Sequence, residues 1–157
     1  MCVLMNILYE QCKNLVDPSL PSISNVSNLL AFLFYEIDDI NWIGFYLVDP
    51  KEDVCLLGPF QGKVACTKIP FGKGVVGHCA ITKEIHNISD VHSFPGHIAC
   101  DCASNSELVI PIFNQNRLIA ILDIDSPVHS RFDPELYDVF VTISKLFTSL
   151  ISNLHLL

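Results

Sequence analysis

Leu108-Val109-Ile110-Pro111-Ile112-Phe113-Asn114-Gln115-Asn116-Arg117-Leu118-Ile119-Ala120-Ile121-Leu122-Asp123-Ile124-Asp125 reads as a β-hairpin. Residues 108–113 and 118–124 are rich in Ile, Leu and Val, which suit strands. The four polar residues 114–117 suit a hairpin turn. The second run carries a feature of its own. Side chains alternate faces with a period of two, so Ile119, Ile121, Asp123 and Asp125 share one face. A carboxylate between Leu122 and Ile124 is costly unless it has a task.

Working outward, residues 41–48 combine aromatic and β-branched side chains into a strand that puts Trp42, Gly44, Tyr46 and Val48 on one face. Asp49-Pro50-Lys51-Glu52-Asp53 is a turn, and residues 54–60 return as the partner strand. A third strand is expected over 66–69, a short helix over 75–82, and another strand over 84–88. Residues 89–104 form a long irregular segment, a length that in compact domains usually serves function. At the N-terminus, Ile7, Leu8, Cys12, Leu15 and Val16 recur at helical spacing before Pro18 and Pro21. A second helix, with Ser24 as its expected cap, carries the stripe Val26, Leu29, Leu30, Leu33, Phe34 and Ile37. Asp133-Pro134 opens a terminal helix as cap and first-turn proline. The expected class is α+β, with a mainly antiparallel sheet of about six strands flanked by helices. The expected organisation is one domain over 1–157, comprising a helical segment (1–38), the sheet and active-site loops (41–126) and a C-terminal helix (134–157).

Composition narrows the function classes. A chain of 157 residues fits one domain with a real core. Its apolar runs are interrupted before they reach the roughly 18 residues of a membrane span, so no membrane association is expected. The start, Met1-Cys2-Val3-Leu4-Met5-Asn6, lacks the basic flank and apolar run of a secretion signal, and a cytoplasmic location is expected. Seven cysteines, odd in number and irregular in spacing, fit reduced thiols better than a disulfide framework. Net charge is −8 with only nine scattered basic residues, which argues against nucleic acid as a partner.

Several residues can carry chemistry. Cys100 lies in a small polar loop near His97, seven residues before Glu107. It reads either as a buried apolar side chain or as a nucleophile activated by nearby donors. Cys66 follows a glycine turn and can condense with an oxidised thiol, if the two meet. Cys102 is too near Cys100 in sequence for an unstrained bridge. Glu107, Asp123 and Asp125 together form a carboxylate cluster in which crowding raises proton affinity. Asp125 reads equally as the start of the loop at Ser126-Pro127. Trp42 and Tyr46 are either core or the wall of a pocket for a small apolar group. Cys66, Cys79, Cys100, Cys102, His78, His92 and His97 are potential zinc ligands, but no C-x-x-C or H-x-x-x-H spacing joins them. Gly72-Lys73-Gly74-Val75-Val76-Gly77 lacks the Walker and Rossmann patterns and reads as a turn entering a helix.

Taken together, Asn41-Trp42-Ile43-Gly44-Phe45-Tyr46, Leu57-Gly58-Pro59-Phe60-Gln61-Gly62-Lys63-Val64-Ala65-Cys66, Gly96-His97-Ile98-Ala99-Cys100-Asp101 and Leu122-Asp123-Ile124-Asp125-Ser126 resemble the free methionine-(R)-sulfoxide reductases, which are built on a GAF domain. Ala103-Ser104-Asn105-Ser106-Glu107 and Arg131-Phe132 extend the match over nearly the whole chain. The resemblance implies reduction of free methionine (R)-sulfoxide, with thioredoxin as reductant, by a homodimer without metal or organic cofactor. It also implies roles: Cys100 attacks the sulfoxide sulfur and Cys66 resolves it as a disulfide. Trp42 and Tyr46 line the pocket, while Glu107, Asp123 and Asp125 bind substrate or protonate its oxygen. Many family members carry a third cysteine where this chain has Val76, so the Cys66–Cys100 disulfide is expected to be the essential one and a three-thiol relay absent, with substitution by Cys79 or Cys102 as the alternative. A competing reading is a non-catalytic GAF module that binds a small ligand or senses redox state, since fold does not imply function.

Overall fold

The computed structural model describes residues 3–95 and 103–154. Its elements run α1 (Val3–Leu15), α2 (Ser22–Glu36), β1 (Trp42–Asp49), β2 (Val54–Gly62), β3 (Lys68–Pro70), α3 (Gly74–Thr82), β4 (His86–Ile88), β5 (Ser106–Asn114), β6 (Arg117–Ser126) and α4 (Pro134–Ser152), with one 3-10 turn over Val91–Ser93. The six strands form one sheet in the order β3-β2-β1-β6-β5-β4, and every neighbouring pair is antiparallel. This is the α+β class expected from the sequence.

The β5–β6 hairpin forms as its sequence dictates. Gln115 and Asn116 both take positive φ, 47° and 65°, the pair of left-handed residues whose twist matches the flanking strands. Pro111 sits past the last residue that β4 pairs with, where its missing N–H costs no strand bond.

The two faces of the sheet bury different layers. Ile43 and Phe45 of β1, Leu108, Ile110 and Ile112 of β5, and Leu122 and Ile124 of β6 pack with α1, α2 and α4 in the larger core. Phe45 and Phe147 meet edge to face at 4.8 Å. The alternate residues Trp42, Tyr46, Val109 and Ile121 pack with Val75, Val76, Cys79 and Ala80 of α3 in a second, smaller cluster. All the candidate acids and aromatics belong to this second face.

Caps and short strands follow the sequence less closely. Asp133 accepts a hydrogen bond from the Leu136 amide at 2.9 Å and Pro134 opens α4. By contrast, α2 begins at Ser22, with Pro21 in the cap position and no side-chain cap bond. The expectation for Ser24 was wrong because Pro21 already fixes a helix-compatible φ one turn earlier. β3 begins at Lys68 rather than at residue 66, so Cys66 belongs to the loop before it. Arg131 donates to the Asp38 carbonyl at 2.9 and 3.2 Å, tying the segment before α4 to the end of α2.

Candidate active site

The register of three central strands assembles the site. Trp42 stands opposite Asp125 and Gly44 opposite Asp123 on the β1–β6 side, while Glu107 stands opposite Asp125 on the β5–β6 side. Acids and aromatics therefore project from one face of adjacent strands. A pocket between the sheet and the start of α3 is lined by Trp42, Tyr46, Val64, Ala65, Ile69, Lys73, Gly74, Val75, Val76, Ser104, Glu107, Asp123 and Asp125.

Trp42 and Tyr46 form a fixed wall. Their rings stack at 5.9 Å, and Trp42 also stacks on Phe60 at 5.3 Å with 14° between the planes. The Trp42 indole donates to the Lys63 carbonyl and the Tyr46 hydroxyl to the Cys66 carbonyl, each at 3.1 Å. Both aromatics are thus tethered to the β2–β3 connection that carries Cys66. Burial and the nearby carboxylates push the Tyr46 phenol well above its usual range, so it stays protonated and a donor.

Gly44 is the residue that reading from sequence passed over. A Cβ there would lie 2.4 Å from Phe60 Cβ and 2.6 Å from the far edge of the Trp42 ring. At Gly62, with φ of +128°, a Cβ would meet the same indole at 2.6 Å from its near side. The two glycines let Trp42 lie flat against the sheet. The signal at Gly44 was its placement between Trp42 and Tyr46, aromatics at i−2 and i+2, legible only once the ring orientation is known.

Glu107, Asp123 and Asp125 present oxygen atoms within 4.8 Å of one another. Glu107 and Asp123 are only 5% and 6% exposed. Burial, then the charges of Asp123 and Asp125, raise the proton affinity of Glu107, which also donates a hydrogen bond to Asp123. Burial raises Asp123 as well, while the bond from Glu107 opposes that rise. Both shifts run in the direction that favours a proton held within the pair. Asp123 Oδ1 is buried with no hydrogen-bond partner among the described residues, and an acceptor left so costs stability unless a ligand completes it. Among the described residues this triad is the group of three or more ligating side chains near enough to share a cation. The described histidines and cysteines named as zinc candidates do not gather in this way.

The thiols divide sharply. Cys66 is half-buried and disulfide-bonded. Cys12, Cys55 and Cys79 are free and buried, so none of them is its partner. Cys79 lies one turn beyond Val76 on α3, and burial pushes its thiol up to about 12. Its Sγ donates to the Glu84 carbonyl at 3.3 Å. A thiol so placed has almost no thiolate at neutral pH, so Cys79 does not replace the thiol missing at Val76. Cys100 and Cys102 lie outside the described residues.

The GAF domain family matches residues 24–149, so the antiparallel sheet with its flanking helices is a GAF domain. Within it, the free methionine-R-sulfoxide reductase of Escherichia coli (strain K12) is 50% identical over 113 residues, covering 72% of this chain and 67% of the relative. Among solved structures, the fRMsr of Staphylococcus aureus in complex with substrate superposes with a TM-score of 0.84 at 39% identity, over 94% of this chain and 95% of that one. The free methionine-R-sulfoxide reductase of Neisseria meningitidis, also in complex with its substrate, gives 0.82 at 34% identity, over 95% and 86%. The chain belongs to the GAF-domain free methionine-R-sulfoxide reductase family, a family of oxidoreductases. Among the described residues no helix is long and apolar enough to cross a membrane.

Proposed function

We propose that this chain reduces free L-methionine (R)-sulfoxide to L-methionine through a Cys100 sulfenic acid and a Cys66–Cys100 disulfide that thioredoxin reduces. The observation that carries the reading is the buried, hydrogen-bonded pair Glu107 and Asp123 in a pocket walled by Trp42 and Tyr46.

The Cys100 thiolate attacks the sulfoxide sulfur. The S–O bond weakens as oxygen gains a proton, and a buried acid that is still protonated at neutral pH can supply it. Oxygen passes to Cys100 as a sulfenic acid, and methionine forms. The Cys66 thiol displaces that oxygen as water, closing the disulfide. Thioredoxin then returns two electrons by thiol–disulfide exchange.

The rest of the pocket selects the substrate. The S-methyl group fits between the faces of Trp42 and Tyr46, since aromatic faces favour sulfur and methyl contacts. The ammonium of a free amino acid pairs with the carboxylates; a peptide-bound residue has none to offer. The disulfide state of Cys66, with no described cysteine as partner, supports its resolving role. Family resemblance adds a homodimer.

The test is Cys66→Ser. The variant is expected to complete a single turnover and to lose thioredoxin-driven cycling. Full cycling would remove Cys66 from the mechanism.

A further inference from the structure

The charge of this chain is segregated. All 17 Asp and Glu residues lie outside residues 54–83, a segment that carries Lys63, Lys68, Lys73 and Lys83 in a chain of net charge −8. The segment comprises β2, β3 and α3; Lys63, Lys68 and Lys73 lie on the β2–β3 side of the sheet, whereas Lys83 follows α3 on the way to β4 at the opposite edge. Lys63 and Val64 sit on the β2–β3 connection, Lys68 on the outermost strand, and Lys73 just before α3. All three lysines are exposed. Val64 is 88% exposed, and Val64, Ala65 and Lys73 border the mouth of the pocket. The acidic turn at Asp49, Glu52 and Asp53 is at the other end of β2 from Lys63, beside Pro70 and Phe71, so Lys63 is the lysine farthest along the strand from it. Cys66 lies within the basic stretch, its carbonyl held by the Tyr46 hydroxyl.

We propose that the loop of Lys63, Val64 and Cys66, with Lys68 and Lys73 on either side, is the docking surface for the dithiol protein that reduces the Cys66 disulfide. The surface suits a partner that presents acidic side chains around its attacking cysteine. The proposal rests on the reading of Cys66 as a redox thiol. Lysines on an edge strand also discourage pairing with other chains, which accounts for Lys68 but not for Lys63 or Lys73, which lie off the strands.

The chemistry explains why positive charge belongs here. A thiolate of the partner attacks Cys66 Sγ; the existing S–S bond breaks, its other sulfur leaves as a thiolate, and a mixed disulfide forms. The partner's second thiolate then attacks its own sulfur in that mixed disulfide, and Cys66 leaves as a thiolate. The partner dithiol gives up two electrons and becomes a disulfide, and its two protons end on the two released thiols. Nearby ammonium groups favour both the approach of an acidic surface and the departure of a thiolate. Val64 offers an apolar contact at the centre of the charged ring.

The test uses the oxidised full chain, reduced by thioredoxin across a salt series, with dithiothreitol as a small reductant for comparison. For the native sequence the second-order rate constant is expected to fall as salt rises. For the variant K68E, whose side chain lies outside the pocket, it is expected at low salt to be at least about threefold smaller and less salt-dependent. Reduction by dithiothreitol, and single turnover of free methionine (R)-sulfoxide by the prereduced variant, are expected to be unchanged. A variant reduced by thioredoxin at the native rate, with the native salt dependence, overturns the docking surface alone. A native chain that dithiothreitol reduces and thioredoxin does not overturns the reductant itself, and the surface with it.

Discussion

Glu107 on β5 and Asp123 on the neighbouring β6 are both buried, with carboxylate oxygens within 4.8 Å of each other, and burial raises the proton affinity of both. Asp123 Oδ1 has no hydrogen-bond partner among the described residues. Glu107→Gln keeps a donor in place but cannot give up a proton. Its kcat on free methionine (R)-sulfoxide is expected to fall by about 10²- to 10⁴-fold, with thermal unfolding close to that of the native chain. Asp123→Asn should lose comparable activity. Steady-state rates for both variants check this.

The same pair predicts a pH dependence of stability. The folded values of Glu107 and Asp123 lie above those of the unfolded chain, so between the two the folded state binds more protons. Their contribution is full below the unfolded value of about 4 and is lost as pH rises through the raised folded values. Chemical denaturation from acidic to alkaline pH should show native stability declining, and Glu107→Gln should flatten the decline. Asp17 and Asp90, held below their usual range by hydrogen bonds from Ser19 and Ser93, act with the opposite sign and only at lower pH.

Gly44→Ala tests the seating of the aromatic wall. The new methyl group meets Phe60 Cβ and the Trp42 ring at distances neither can accept, so the indole must tilt into the pocket. The expected cost is about 1–3 kcal/mol of stability and a raised KM. Trp42 is the sole tryptophan of the chain, so its emission spectrum reports the tilt directly.

Cys79→Ala separates a buried thiol from a redox one. Burial and the raised value of its thiol predict thioredoxin-driven cycling at the native rate. Coupled turnover and a count of disulfides after oxidation check it; loss of cycling would make Cys79 part of the relay.

Much of this site was legible because strands have a period of two. Asp123 and Asp125 fall on one face of β6 and Trp42 and Tyr46 on one face of β1 by alternation alone, and the β5–β6 turn sets Glu107 opposite Asp125. The cap at Asp133 was equally local, a side chain and an amide three residues apart. What sequence could not supply depended on distant partners. Gly44 matters because of a ring orientation, and the start of α2 because of a proline whose effect outweighed a better capping side chain. The burial that silences Cys79 is set by the packing of α3 on the sheet. The role of Cys66 was read from resemblance, and its position in a loop tethered to Tyr46 became visible only in the fold.

The proposed function is the reduction of one substrate by one pocket. Thioredoxin-coupled turnover should be measured on the R and S epimers of methionine sulfoxide, each free and peptide-bound, with the full chain and intact Cys100. Turnover is expected on the free R epimer, with little or none on the other three. No activity on the free R epimer, or equal activity on its peptide-bound form, would contradict it.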